Sequence, residues 1–375
     1  MAPPAGSLSK SNEAAEINIK KGFLNMFQDL SLEEWVEQRQ KGLSLIDVRS
    51  PSEFAQSTIP GSVNIPLFDD RERAEIGTLY KQVSAEAAKQ RGLEIVSAKL
   101  PGFIRKFAEI PGRKAVFCWR GGMRSKTTAT LLSLMDIHAY RLAGGYRAYR
   151  QWVVGTLENM SFAPQMIVIH GNTGSGKTLL LRTLKEKGYP VIDLEEMAGH
   201  RGSAFGQIGL KSRNQKMFDS LLVDDLLRYR DEPYVLMEAE SKRIGKAVMP
   251  EFLAAKKEQG RHIRLELPLE VRVKIILEDY EPWKHPEACL ESFRKIKSKI
   301  HIPVAAEIES CLTSGKYDRA VELLLAYYYD PRYAHTEDQY ADAEFTVVRA
   351  ASVEEAAAEV ERLLPKPAPL AANKP

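Results

Sequence analysis

The chain has 375 residues, 44% hydrophobic and 27% charged, with 53 Lys and Arg against 50 Asp and Glu for a formal charge of +3. That length suits two domains, each with its own core, and so small an excess of positive charge is no proof of a polyanionic partner. No apolar run approaches the roughly 20 residues that span a bilayer, and the opening MAPPAGSLSK lacks a basic segment followed by an apolar one, so a cytoplasmic protein without a membrane partner is expected.

In chain order, Ser31 and Glu34 in SLEEWVEQRQ form the signature of a capping box, and LSLIDV (43–48) after that helix reads as a buried strand. Residues 67–108 are polar and helix-forming, a helical insertion between two strands. KAVFC (114–118) then reads as a strand, SKTTATLLSLM (125–135) as a helix and AYRLAGG as a strand and turn, which completes one doubly wound parallel unit. A second unit opens at QMIVIHGNTGSGKTLLLRTL, with later strands predicted at 189–194, 234–239 and 262–267 and a helix in KMFDSLLVDDLLRY. Ser352 and Glu355 cap a last helix. The expected organisation is α/β in two domains: a disordered N-terminus at 1–20, a first domain at 21–158 carrying the 67–108 insertion, a P-loop NTPase-like domain at 159–364, and a disordered tail at 365–375.

Cysteine usage narrows the chemistry. The three cysteines form no CxxC and fit no zinc spacing with the seven histidines, so the thiols are expected to be reduced and no metal ligands are assigned. Cys289 and Cys311 lie in no special loop and read as small buried hydrophobes. Cys118 differs: it ends a strand and is followed by Trp119, Arg120, Gly121, Gly122, Met123 and Arg124 before a helix. The glycines let backbone N–H groups turn inward, and the helix N-terminus adds positive potential, both of which favour thiolate over thiol. Arg120 and Arg124 would neutralise an anionic sulfur or selenium donor.

Gly171, Asn172, Thr173, Gly174, Ser175, Gly176, Lys177 and Thr178 complete the Walker A pattern, with the strand before it and the helix after it that the motif requires. Its N–H groups should cradle a diphosphate, Lys177 should neutralise the oxygens, and Thr178 is placed to ligate Mg²⁺. Glu238, closing YVLME, is the candidate for the second, metal-organising acid. The stretch Gly199–Gly206 reads either as a lid or substrate loop or as a glycine-rich connector. Basic clusters at Lys242, Arg243 and Lys246 and at Arg294, Lys295, Lys297 and Lys299, with Trp119, Tyr146 and Trp283, offer phosphate contacts and stacking surfaces for RNA; each taken alone reads as surface or packing.

The first half resembles the rhodanese family through Asp47-Val48-Arg49, Glu53-Phe54, the run Ile59 to Pro66, the Cys118 loop, and Gly144-Gly145 near Trp152. That resemblance implies supporting roles for Asp47 and Arg49, and Ser57-Thr58 stands where many rhodaneses carry Gly-His. CWRGGMRS followed by GNTGSGKT, with LFDDRERAEIGTLYKQ, DLEEMAGHRGSAFG, VLMEAESKRIG and HIRLELPLEVRVKIILEDY, resembles the tRNA 2-selenouridine synthase family over roughly residues 40 to 340. The resemblance implies conversion of wobble 2-thiouridine in tRNA to 2-selenouridine through S-geranyl-2-thiouridine. Geranyl diphosphate and selenophosphate would be the co-substrates, and a selenophosphate-supplying enzyme is a possible partner. Cys118 would then either carry selenium or take the geranyl thiol away. Two rival readings are a sulfurtransferase fused to a P-loop kinase acting on a small acceptor, and a nucleotide-gated redox sensor.

Overall fold

Short apolar runs alternating with helices build two separate five-stranded sheets, parallel throughout, as that alternation requires. A computed structural model describes residues 27–39, 41–332 and 344–366, and the chain divides into two units after Gly155. The disorder expected at 1–20 lies outside the described residues, as does most of the 365–375 tail. Pro365 is held: its carbonyl accepts from the Tyr234 hydroxyl at 2.6 Å.

The first unit runs β1 (Asp29–Leu30), α1 (Leu32–Arg39), β2 (Ser44–Asp47), α2 (Pro51–Gln56), β3 (Val63–Asn64), α3 (Asp70–Gln82), α4 (Ala85–Ala108), β4 (Lys114–Phe117), α5 (Met123–Ser133), β5 (Ala139–Leu142) and α6 (Gly145–Glu158), the last crossing the division. Its strands lie in the order β1-β5-β4-β2-β3, so β4 is central and all four of its residues are buried. The 67–108 insertion breaks into two helices because Ser84 starts a second one, accepting from Ala87 N–H at 3.0 Å, while Asp69 and Glu72 cap the first with reciprocal bonds of 2.8 Å. Phe103 and Phe107 of α4 join Ile46, Val116 and Leu132 in the core.

The second unit runs β6 (Gln165–Gly171), α7 (Lys177–Glu186), β7 (Val191–Ile192), α8 (Leu194–Ala198), α9 (Gln215–Tyr229), β8 (Tyr234–Glu238), a small antiparallel pair β9 (Arg243–Ile244) and β10 (Ala247–Val248), α10 (Glu251–Glu258), β11 (Arg261–Glu266), α11 (Leu269–Tyr280), α12 (Pro286–Ile296), α13 (Ile302–Thr313), α14 (Tyr317–Leu324), β12 (Phe345–Arg349) and α15 (Val353–Leu363). The order β12-β11-β6-β8-β7 again puts the loop-bearing strand, β6, in the middle, flanked by strands reached in opposite directions, which is where open parallel sheets bind ligands. Helices α12 to α14 have an apolar core of their own, built on Phe293, Ile308 and Leu323.

Candidate functional site

The cysteine loop is built by two glycine turns packed back to back. Cys118 follows β4, Gly121 turns the chain at φ 64°, and Gly122 precedes α5, which starts at Met123, two residues earlier than the pattern of apolar residues predicts. Gly144 and Gly145, after β5, take φ of 70° and 59° and press against this loop. A Cβ on Gly145 would lie 2.2 Å from the Cys118 carbonyl oxygen and 2.5 Å from Gly121 N, so the position admits glycine alone. Tyr146 and Arg147 N–H groups donate to the carbonyls of Cys118 and Trp119, and Arg141, ion-paired with Asp29, donates to the Gly121 carbonyl at 2.9 Å. Among the described residues the N–H groups of Arg120, Gly121 and Gly122 meet no acceptor, which leaves them available to an anion.

The Cys118 Sγ is buried, 3.2 Å from Ser125 Oγ. Of the two loop arginines, Arg124 is committed, its guanidinium holding Glu53 at 2.5 and 3.2 Å. Burial would raise the Glu53 carboxyl, but the Arg124 bonds and charge, aided by Ser50 N–H and Arg73, outweigh it and leave the group below its usual range. Arg120 is exposed and has no ion pair among the described residues, so it is the loop cation open to a ligand. Asp47 and Arg49 form a buried pair at 2.6 Å; Arg49 also donates to the Ser57 carbonyl and covers the Tyr146 ring at 4.3 Å. Thr58 donates to Asp47 at 2.8 Å, so the Ser57-Thr58 departure is absorbed into this scaffold. Tyr146 is fully buried in the same packing and offers no face to RNA, in contrast to the exposed Trp119 and Trp283.

The phosphate loop has a different kind of support. Gly176 caps α7 at φ 75° with Val353 2.7 Å from where a Cβ would stand, and the N–H groups of Gly174 and Gly176 meet no acceptor among the described residues. Lys177 Nζ folds onto the Gly171 carbonyl at 2.7 Å, occupying the loop that a diphosphate would claim. From α11, Arg272 donates to the Thr173 carbonyl at 2.9 and 3.0 Å and pairs with Asp330 at 2.6 Å; Asn172 donates to the same carboxylate at 3.1 Å. Arg272 and Asp330 thus fix the loop from its outer side.

Facing the loop is a trio of acids. Glu195, Glu238 and Glu240 bring one oxygen each within 4.8 Å of one another, and Thr178 Oγ1 donates to Glu195 at 2.9 Å. Glu238 is fully buried, with neither carboxylate oxygen hydrogen-bonded. Burial, reinforced by the charge of Glu195, pushes its carboxyl well above the usual range, and burial together with Glu240 raises Glu195 to about 8. Acids that repel one another around a buried carboxylate with no hydrogen-bond partner would be stabilised by a cation, and an all-oxygen donor set suits a hard one. Glu195 and Glu240 are missing from the sequence-derived site.

Residues 164–362 match the family model of the tRNA 2-selenouridine synthase AAA domain, and residues 32–151 match that of the rhodanese-like domain. A tRNA 2-selenouridine synthase of Shewanella piezotolerans is 31% identical over 80% of this chain and 90% of its own length. Those of Nitrosomonas europaea and Bdellovibrio bacteriovorus are 38% and 36% identical over 63% and 64% of this chain, matching 63% and 65% of their own lengths. The chain belongs to the tRNA 2-selenouridine synthase family.

Gly199–Gly206 is strapped to α11: Arg201 pairs with Asp279 at 2.6 Å and lies over the Tyr280 ring at 4.5 Å, and the Ser203 and Tyr280 hydroxyls are 2.9 Å apart. Its Phe205 lines an apolar cavity that begins at Thr173 of the phosphate loop and continues between α11 and α14. Of the basic clusters, Lys242 pairs with Glu251, and Lys297 with Glu309 at 2.5 Å. No described helix is long and apolar enough to cross a membrane.

Proposed function

We propose that the protein converts 2-thiouridine at the wobble position of tRNA to 2-selenouridine in two half-reactions, one at each loop. The carrying observation is the pairing, in one chain of this family, of a cysteine loop with open N–H groups and a Walker A loop with open N–H groups, each at the end of a central parallel strand. The tRNA substrate is what the names of the relatives say of those proteins.

In the first half-reaction the thiouridine sulfur attacks C1 of geranyl diphosphate; a C–S bond forms, the C–O bond breaks, and pyrophosphate leaves. Lys177 and the N–H groups of the loop stabilise the charge that grows on the departing group. Mg²⁺ would be held by Thr178 and Glu238 with Glu195 and Glu240, and would supply further charge neutralisation for the diphosphate. In the second half-reaction the selenium of selenophosphate attacks C2 of the base, geranyl thiolate departs, and water takes the phosphoryl group to give phosphate and selenouridine. Selenium in selenophosphate is already at the selenide level, so the exchange needs no oxidant. Arg120 and the loop N–H groups seat this anion, and Cys118 Sγ at the head of the loop positions its selenium for the attack. The protein acts in the cytoplasm and draws selenophosphate from a supplying enzyme.

Mass spectrometry of nucleosides tests the reading: thiouridine tRNA is incubated with the protein and geranyl diphosphate, then with selenophosphate. Sequential appearance of S-geranyl-2-thiouridine and 2-selenouridine is expected. Unchanged nucleoside with consumption of ATP or thiosulfate would replace this reading with a sulfurtransferase fused to a kinase.

A further inference from the structure

Beside Thr173 of the phosphate loop lies a space unsuited to the ribose and base of a nucleotide. The cavity reaching from Thr173 is a narrow slot of about 50 Å³ rather than a wide chamber. Its walls are the side chains of Phe205, Ile276, Tyr280, Cys289, Val321 and Leu324 with neighbours of the same character, and no charged residue lines it. The Tyr280 hydroxyl is bonded to Ser203, and burial pushes the Cys289 thiol up to about 11, keeping it neutral. A sugar and base need fixed polar partners, whereas a slot of this kind gains affinity from methylene and methyl groups.

We propose that this slot seats the isoprenoid tail of the diphosphate held by the phosphate loop, and that Phe205 and Val321 set the chain length it accepts. The inference rests on the reading that the loop binds a prenyl diphosphate, and it adds where the tail lies and which residues measure it. Phe205 comes from the segment strapped to α11 by Arg201 and Ser203, and Val321 from α14, so two independently anchored walls bound the slot. Truncating Phe205 lengthens or widens the space, and enlarging Val321 fills it.

Equilibrium binding to the full chain with Mg²⁺ provides the test, using inorganic pyrophosphate, dimethylallyl, geranyl and farnesyl diphosphates, and ATP. Geranyl diphosphate should bind at least about 100-fold more tightly than pyrophosphate, the gain that burial of an apolar tail supplies. Val321→Trp should erase that gain while leaving pyrophosphate affinity within about twofold, and Phe205→Ala should move the preference toward farnesyl diphosphate by about tenfold. Should Val321→Trp lose pyrophosphate binding as well, the direction of the Phe205→Ala shift decides the matter. An unaltered ranking of chain lengths in both variants, with all binding still abolished by Lys177→Ala, would place the tail elsewhere and leave the diphosphate reading intact. A wild type that prefers ATP and gains nothing from a prenyl tail would remove the diphosphate reading and this inference together.

Discussion

The two loops share a position and differ in what holds them. Each follows the central strand of a five-stranded parallel sheet and opens a helix, yet the Cys118 loop is shaped by neighbours from the adjoining strands, whereas the phosphate loop is braced by α11 and faced by acids from the end of β8, the residues just after it, and α8. One is a cation-rich nest with its own counter-charge already in place, Glu53 on Arg124; the other sets Lys177 against carboxylates that burial and their mutual charge push above their usual range. The difference teaches that the first loop presents open N–H groups and an exposed arginine as it stands, while on the proposed reading the second takes up its ligand and a cation together.

The largest expected effect sharpens that contrast. Glu238→Gln should lower geranylation by roughly 100-fold or more and abolish the rise in melting temperature that Mg²⁺ with pyrophosphate gives the wild type, while selenation of pre-geranylated tRNA proceeds. Activity and thermal melting measured with and without Mg²⁺ would reveal it; equal Mg²⁺ responses in both proteins would remove the cation from the account.

Next in size is Gly145→Ala. With a Cβ placed 2.2 Å from the Cys118 carbonyl and φ of 59°, the turn must shift, at a cost of about 1–3 kcal/mol. Selenation should fall steeply and geranylation should not, and a nucleoside time course separates the two rates.

Arg272→Ala should be milder. It removes the bonds to the Thr173 carbonyl and, among the described residues, leaves Asp330 its Asn172 bond, so pyrophosphate affinity should drop by roughly tenfold without loss of the Cys118 half-reaction. Titration of pyrophosphate into both proteins measures it.

How far the sequence exposes these features follows the same division. The Cys118 loop and its glycine partners could be read as motifs because the residues that shape it are contiguous runs, CWRGGMRS and AGGY. Asp47 and Arg49 are likewise close in sequence, and their supporting role is visible in the buried pair they form. Glu240 was within reach, two residues after Glu238 at a strand's end, where alternate residues share a face. Glu195, Arg272 and Asp330 were not, because their parts depend on how α8, α11 and the turn after α14 pack around a loop distant in sequence. Arg124 shows the reverse limit: its spacing suits an anion ligand, and only the fold reveals that Glu53, 71 residues away, occupies it. The short strands β1, β3 and β7 carry two residues each, too few for periodicity to register.

The smallest effect concerns pH in the first unit. Because the folded-state carboxyl of Glu53 lies below its ordinary value of 4.5, its contribution to stability is present above that value and is lost as pH falls through the lowered one. The difference in melting temperature between wild type and Glu53→Gln should therefore be constant near neutrality and shrink below about pH 4.5. A difference that grows on acidification would show that Arg124 does not hold the carboxylate ionised.

The division of labour between the loops is tested most directly by the nucleoside at which each loop variant stops. Thiouridine tRNA is given geranyl diphosphate and selenophosphate together with Lys177→Ala or with Cys118→Ala, and the products are resolved by mass spectrometry. Lys177→Ala should leave 2-thiouridine, and Cys118→Ala should accumulate S-geranyl-2-thiouridine. Arrest of both variants at the same nucleoside would contradict two sites with separate half-reactions.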